Sequence, residues 1–285
     1  MMSPVFALTA TDQPPVANDR KGSLASPRMK VFAPGARVLV AEDNSVNREV
    51  ALAQLRKLGH NPSAVTNGED AVAALANGSY DLVLMDCEMP VMDGFEATRL
   101  IRKLAGRKVP IIATTADAMP ADRDRCLREG MDDYLAKPVE HGRLAEVLAQ
   151  WLPAALAGGT AESPLPPDGQ SAKGHFDGED LLRRLTGDRQ LARAALASFL
   201  ADVPSRLQTL RGQLNVADAN GVRLQAHTIK GASATVGAED LRAIAQAIEG
   251  AGAARKLLHC NDLLARASEE FERFRIAVEQ VDWAR

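Results

Sequence analysis

Length, composition and charge exclude several classes of protein. The chain has 285 residues, enough for two domains with separate cores. Its net charge of −3 and its aromatic content of 4% do not support a nucleic-acid-binding surface. No apolar run approaches the roughly 18 residues of a membrane-spanning helix. The three cysteines are scattered, with no C-x-x-C pair, so we expect a cytoplasmic, reducing environment without a disulfide framework.

Residues 1–36 differ in composition from the rest of the chain. They contain Pro, Ser, Asp and Ala, and they lack the basic-then-apolar order of a signal peptide. We expect a disordered leader.

From residue 37 onward, short apolar runs alternate with helical segments five times. The pattern predicts strands at 38–41, 63–66, 82–85, 109–114 and 132–136, and helices at 46–58, 67–78, 96–104, 120–130 and 144–151. An alternating β-α order predicts a parallel sheet that helices cover on both faces.

Polar side chains follow four of the five predicted strands. Glu42 and Asp43 follow the first strand, Asp86 the third, Thr115 the fourth and Lys137 the fifth. The carboxyl ends of parallel strands meet at one edge of a sheet, so we expect these side chains to converge. Three carboxylates suit Mg²⁺, and a carboxylate can attack a phosphoryl group when a cation and a lysine balance the charge. The plainer alternatives are unrelated loop ends, and an aspartate that only caps a loop or helix.

The segments 38–44, 85–94, 111–116 and 134–138 resemble the receiver domain of response regulators. The match covers residues 37–153 and includes the sequence Met-Asp-Cys-Glu-Met-Pro-Val-Met-Asp-Gly at 85–94. The resemblance implies a flavodoxin-like (βα)5 doubly wound parallel sheet. It also implies a set of roles: Asp86 as phosphoacceptor, Glu42, Asp43, Asp86 and the carbonyl of Glu88 as Mg²⁺ ligands, Thr115 and Lys137 on the phosphoryl oxygens, Tyr134 as switch aromatic, and a cis bond before Pro138.

Residues 154–175 are rich in Pro and Gly and show little apolar periodicity. We interpret them as a flexible linker. Two domains tethered in this way meet at an effective concentration on the order of millimolar.

Residues 176–285 are predicted to be helical throughout. The pattern indicates a four-helix bundle, with a short extra helix at its front and a long helix that Pro204 kinks or divides. In the helix 219–236, Val222, Ala226, Ile229, Ser233 and Val236 follow helical spacing and predict a narrow buried stripe. The neighbouring His227 is expected to face away from it.

His227 has two interpretations. A lone histidine is most simply a solvated surface residue, and no second ligand stands at metal-binding spacing. Arg223 and Lys230, however, would stabilise a phosphate on an exposed imidazole, and Gly231 would let a partner approach closely. The run 226–234 resembles the signature of histidine phosphotransfer (HPt) domains. The resemblance implies that His227 carries a phosphoryl group and that Lys230 assists.

An acceptor aspartate and an acceptor histidine in one chain predict a phosphorelay. A sensor histidine kinase upstream would phosphorylate Asp86, and His227 would relay the group to or from the receiver of another response regulator. No Gly-rich nucleotide-binding motif of a kinase core is found, so we expect no phosphorylation from ATP, and whether phosphotransfer makes this chain an enzyme stays open.

Three alternatives remain at this point. The chain would be a docking module or phosphate sink without catalysis, or a C-terminal fragment of a hybrid histidine kinase, in which receiver and HPt domains occur together. A phosphohydrolase is the third, with Glu88 as the second acid two residues after Asp86.

Overall fold

The computed structural model describes residues 35–104, 109–116, 120–152 and 176–281. The predicted leader lies outside these residues except for its last two, and the predicted linker lies entirely outside them. Within the described ranges, no helix combines the length and apolar character that crossing a membrane requires.

Five parallel strands form one sheet in the order β2-β1-β3-β4-β5. The strands are β1 Arg37–Ala41, β2 Asn61–Val65, β3 Leu82–Asp86, β4 Ile111–Thr115 and β5 Asp133–Ala136. Every residue of β3 is buried, which explains its unbroken apolar sequence. The strand order reverses between β1 and β3, and this switch point is where open α/β sheets bind ligands.

Helices cover both faces of the sheet, as predicted. They are α1 Ser45–Lys57, α2 Gly68–Asn77, α3 Gly94–Lys103, α4 Pro120–Arg128 and α5 His141–Trp151. Asn44 caps the start of α1, because its side chain accepts hydrogen bonds from the backbone amides of Val46 and Asn47. Asp93 caps α3 by accepting a hydrogen bond from the backbone amide of Glu96. One apolar core lies on each face of this α/β domain.

The second half of the described chain is a helical domain. Its elements are α6 Gly178–Arg184, α7 Arg189–Asn215, α8 Ala219–Val236, α9 Glu239–Ala253 and α10 Cys260–Glu279. The bundle of α7 to α10 has an apolar core that includes Phe199 and Phe274, whose rings meet edge to face at 5.3 Å. Pro204 lies inside α7 without dividing it. The expected fold class, a parallel α/β domain followed by a helix bundle with a short front helix, is therefore confirmed.

The α/β domain and the helical domain share an apolar contact. Val46 and Val50 on α1 are buried in the same cluster as the core of the helix bundle. Helix α8 is buried almost continuously from Ala226 to Val236, so the expectation of a narrow buried stripe was wrong. The sequence could not show this, because α8 is covered by α7 and α9 of its own domain and by α1 of the other.

Candidate functional site

The carboxyl ends of β1, β3 and β5 bring acidic and basic side chains together. Lys137 Nζ lies 2.7 Å from Glu42 Oε2 and 2.6 Å from Asp86 Oδ2. Carboxylate oxygens of Glu42, Asp43 and Asp86 lie within 4.8 Å of one another. Asp86 is only 1% exposed. Three carboxylates thus crowd around one ammonium group in a buried pocket.

The electrostatics of this pocket fit a divalent cation. Burial, together with the negative charges of Glu42 and Asp43, raises the pKa of Asp86 to about 7, although Lys137 opposes the shift. The pKa of Asp43 is also raised, mainly by burial. A hard cation with oxygen ligands would supply the missing positive charge, and Mg²⁺ matches this set of donors.

The other residues implied by the receiver resemblance lie around this pocket. The amide of Glu88 donates to Asp86 Oδ1 over 3.2 Å. Thr115 is the last residue of β4, and its carbonyl accepts a hydrogen bond from the Lys137 amide over 2.7 Å. Tyr134 is half-buried beside the Arg123 guanidinium, 5.9 Å from its ring centre. The Lys137–Pro138 bond is cis, as the resemblance implied.

His227 lies on α8 in a second charged cluster. Its Nδ1 is 2.7 Å from Glu249 Oε1, and because a carboxylate only accepts, Nδ1 carries the proton. Lys230 Nζ is 2.6 Å from the other oxygen of Glu249. His227 is 6% exposed, so the expectation of an exposed imidazole was wrong. The imidazole is enclosed by α9 and by the α/β domain, which the helix sequence alone does not reveal.

The environment of His227 stabilises the charged imidazole. Burial alone would lower the pKa of His227, but the hydrogen bond to Glu249 and the charges of Glu88 and Asp86 raise it above its usual value. The converse holds for Glu249, because burial opposes ionisation while hydrogen bonds from His227 and Lys230 hold its pKa below the usual range.

The two clusters meet across the interface between the domains. Asp86 and His227 lie close enough for each charge to shift the pKa of the other. The side-chain amide of Asn44 donates to the backbone carbonyl of Thr228 over 2.8 Å, and the Thr228 hydroxyl donates to the Asp43 carboxylate over 3.2 Å. A side chain at Gly231 would meet Asn47 at 3.2 Å. The expected close approach at this glycine is therefore an approach of α1.

Several residues of the site escaped the sequence reasoning. Glu249 is the partner of both His227 and Lys230, and it directly follows Gln246-Ala247-Ile248 in α9. Arg206, on α7, lies 3.8 Å from Asp43. Its position in a long amphipathic helix gave no signal of a role at a distant strand end.

Two cysteines also meet near the acidic pocket. The sulfur atoms of Cys87 and Cys126 lie 3.8 Å apart, and both are free, buried thiols. The cysteines are thus not all scattered in space, although no disulfide is formed among the described residues.

Family models match both halves of the chain. The response regulator receiver domain matches residues 38–149, and the Hpt domain matches residues 194–282. These two descriptions agree with the α/β domain that carries Asp86 and with the helix bundle that carries His227.

Two curated proteins and one solved structure illustrate what the chain is similar to. The sensor histidine kinase GacS of Pseudomonas protegens is 33% identical over 231 residues, which are 79% of this chain and 25% of GacS. The two-component response regulator ORR41 of Oryza sativa subsp. japonica is 44% identical over 119 residues, 40% of this chain and 93% of the relative. The receiver domain of the sensor histidine kinase PA1611 from Pseudomonas aeruginosa PAO1, solved with a magnesium ion in its active site cleft, is 48% identical. It covers 41% of this chain and 97% of that chain, with a TM-score of 0.39.

The chain belongs to the two-component signalling proteins and combines a response regulator receiver domain with an Hpt domain. It is a phosphorelay protein of this class, and the docking-module alternative is not favoured. The chain spans about a quarter of the length of the GacS proteins it matches, 25% of one and 24% of the other.

Proposed function

We propose that Asp86 and His227 exchange a phosphoryl group within one chain. The observation that carries the proposal is their juxtaposition across the docked interface, with Lys137 beside Asp86 and Glu249 beside His227. A sensor histidine kinase phosphorylates Asp86, and phospho-His227 then serves the receiver of another response regulator. The same site works in reverse when the downstream receiver is already phosphorylated. We place this relay in the cytoplasm.

The roles follow from the contacts of each side chain. In the forward step the Nε2 lone pair of neutral His227 attacks phosphorus, the acyl phosphate P–O bond breaks, and Asp86 leaves as a carboxylate. The imidazole gains a positive charge because its Nδ1–H is retained, and Glu249 stabilises that charge through the 2.7 Å hydrogen bond. Lys137 would stabilise the carboxylate of Asp86 through its 2.6 Å contact, and Thr115, the last residue of β4, would donate to a phosphoryl oxygen.

The Mg²⁺ site is the second part of the proposal. Glu42, Asp43, Asp86 and the carbonyl of Glu88 would hold the ion, and the bound ion would supply positive charge that offsets the charge of the phosphoryl oxygens. A cleft of about 530 Å³ between the domains is lined by Asp43, Thr228 and Arg206, so it reaches one of the proposed metal ligands. Lys230 is paired with Glu249, so it acts on His227 only by holding that carboxylate in place. Tyr134 is proposed to be the switch aromatic, whose rotamer follows Thr115.

A phosphohydrolase is less consistent with the contacts of Glu88. That reaction needs Glu88 as an acid over the leaving group, whereas its carboxylate is bound to Arg223 and lies 3.7 Å from His227. The side chain is therefore committed to the domain interface.

Intact mass after incubation with Mg²⁺ and acetyl phosphate tests the proposal. We expect a phosphoryl adduct on the wild type, none on Asp86→Asn, and on His227→Gln only the hydroxylamine-sensitive form that an acyl phosphate gives. The alkali-stable, acid-labile share is expected in the wild type and in the control His259→Gln, which changes an exposed histidine. An Asp86 adduct without an alkali-stable share would refute transfer within the chain, and no adduct at all would refute the receiver chemistry.

A further inference from the structure

The Glu88–Arg223 ion pair links the two domains beside the reacting groups. Arg223 lies on α8, one turn before His227, and its guanidinium donates to the Glu88 carboxylate. Glu88 follows Asp86 by two positions. The pair therefore joins a residue near Asp86 to a residue near His227, and it constrains the position of α8 relative to the end of β3.

The contact is charged, local and only partly shielded. The side chains of Arg223 and Glu88 are 28% and 33% exposed, so the pair lies at the rim of the interface rather than in its core. The Glu88 carboxylate makes no described contact with Lys137 or with the other acids of the pocket. Its described partners, Arg223 and His227, both belong to the Hpt domain.

Three further polar contacts show the same polarity. In these, the Hpt domain offers a hydroxyl group or a cation, and the receiver offers an oxygen acceptor: Ser198 to Glu49, Thr235 to Asn47, and Arg206 to Asp43. The side-chain amide of Asn44 and the Lys57 ammonium of the receiver donate in the opposite direction, to Thr228 and Thr186. Asp43 belongs to the acidic pocket that the chemistry itself requires, so a cation facing it cannot distinguish one receiver from another. Glu88 is different, because its carboxylate is not among the described groups that surround Asp86, although it lies 3.7 Å from His227.

We propose that Arg223 selects receivers by the residue two positions after their phosphoacceptor, and that the external receiver served by His227 carries a carboxylate there. This inference rests on the proposed relay and names the chemistry of its partner. Like charges at this contact would oppose docking beside the reacting groups, because electrostatic complementarity at an interface rim controls association and suppresses wrong partners.

The test uses two full-length chains that are each defective in one acceptor. The donor chain carries His227→Gln and is phosphorylated on Asp86 with acetyl phosphate, which is then removed. The acceptor chain carries Asp86→Asn and offers His227. Phosphoryl transfer between the chains is followed by the rise of alkali-stable phosphate.

Charge reversal on each chain gives four combinations. Glu88→Arg is added to the donor and Arg223→Glu to the acceptor, alone and together. We expect each single reversal to slow transfer at least tenfold and the double reversal to restore it to within about threefold of the unreversed pair; a tenfold change corresponds to about 1.4 kcal/mol. Arg211→Glu on the acceptor, at an exposed position of α7, controls for net charge. The reversed pair has an added advantage, because its charges repel within each chain and attract between chains.

The outcomes separate this proposal from the relay itself. Equal rates in all four combinations, or slow transfer that the double reversal does not rescue, would overturn selection by Arg223 while leaving the relay intact. If transfer occurs only within a chain, the same four combinations are compared in single chains with the same expectation. If Glu88→Arg prevents labelling of Asp86, Glu88→Gln replaces it, and Arg223→Glu is then expected to slow transfer from the wild-type donor only.

Discussion

The apolar contact between α1 and the Hpt bundle gives the sharpest prediction. Val50 is buried in the cluster formed by the bundle core, and not in either core of the receiver sheet. We therefore expect Val50→Asp to leave the receiver folded and to disrupt docking. Asp86 should still accept phosphate from acetyl phosphate, but transfer to His227 should be lost.

The magnitude follows from the burial of this side chain. Returning a buried valine to water costs about 2 kcal/mol, and an unpaired carboxylate at the same contact costs at least about 2 kcal/mol more. About 4 kcal/mol lowers the equilibrium constant for the closed form by roughly a thousandfold. Domains tethered at an effective concentration on the order of millimolar would then be mostly open.

The assay compares two Asp substitutions in the full chain. Leu258→Asp serves as control because Leu258 is 86% exposed. Both variants are labelled on Asp86, and the growth of alkali-stable phosphate is followed in time, while small-angle scattering reports the radius of gyration. Equal transfer rates and equal radii in the Val50→Asp and Leu258→Asp proteins would show that α1 docking does not support the relay.

Three further predictions concern the charges and the close approach at the site. Glu249→Gln removes the charged hydrogen-bond partner that raises the pKa of His227, so the neutral imidazole persists to lower pH. The pH–rate profile of transfer should therefore move to lower pH, and an unmoved profile would contradict this role of Glu249. Because the pKa of Asp86 is raised to about 7, ionisation of this carboxyl destabilises the metal-free fold as pH rises from about 4 to 7. Below about pH 7, protons compete with Mg²⁺ for the same carboxylate. The increase in Tm caused by Mg²⁺ should therefore be larger at pH 8 than at pH 5.5, should vanish on chelation, and should be independent of pH if Asp86 is not a ligand. Gly231→Leu should slow internal transfer at least tenfold, because the new side chain would clash with Asn47 and hold α1 away from α8. Labelling of Asp86 should stay normal. Unaffected transfer would show that α1 does not approach this glycine.

Local sequence signals were sufficient for the fold of each domain. The apolar run that ends in Asp86 indicates a buried strand, because parallel strands are covered on both faces. The five β-α units predict that all strands run parallel, so that their carboxyl ends lie at the same edge of the sheet. The convergence of Glu42, Asp43, Asp86 and Lys137 follows from that topology and needs no knowledge of side-chain contacts. The predicted start of β2 at residue 63 is two residues later than the observed start at Asn61. The sequence of the strand, Asn-Pro-Ser-Ala-Val, is weakly apolar, and its start is set by pairing with β1.

Contacts between the domains were not accessible in the same way. The burial of His227 depends on Glu249 from α9 and on Glu88 from the receiver, which are 22 and 139 positions away in the sequence. Helical periodicity places His227 on a face but does not say what covers that face. A residue such as Val50 has the same apolar character whether it packs on its own sheet or on a neighbouring domain, so the docking surface had no distinct sequence signal.

The docked arrangement also sets a limit on the speed of signalling. With Asp86 1% exposed and His227 6% exposed, neither acceptor can be reached by another protein while the domains are closed. In the proposed relay, each phosphoryl group would therefore require at least one opening to load Asp86 and one to unload His227. Tighter docking accelerates the internal step and lengthens the wait at both ends, so throughput is greatest at an intermediate docking strength. The modest apolar contact of α1, flanked by polar pairs at the rim, is suited to a relay that opens and closes repeatedly.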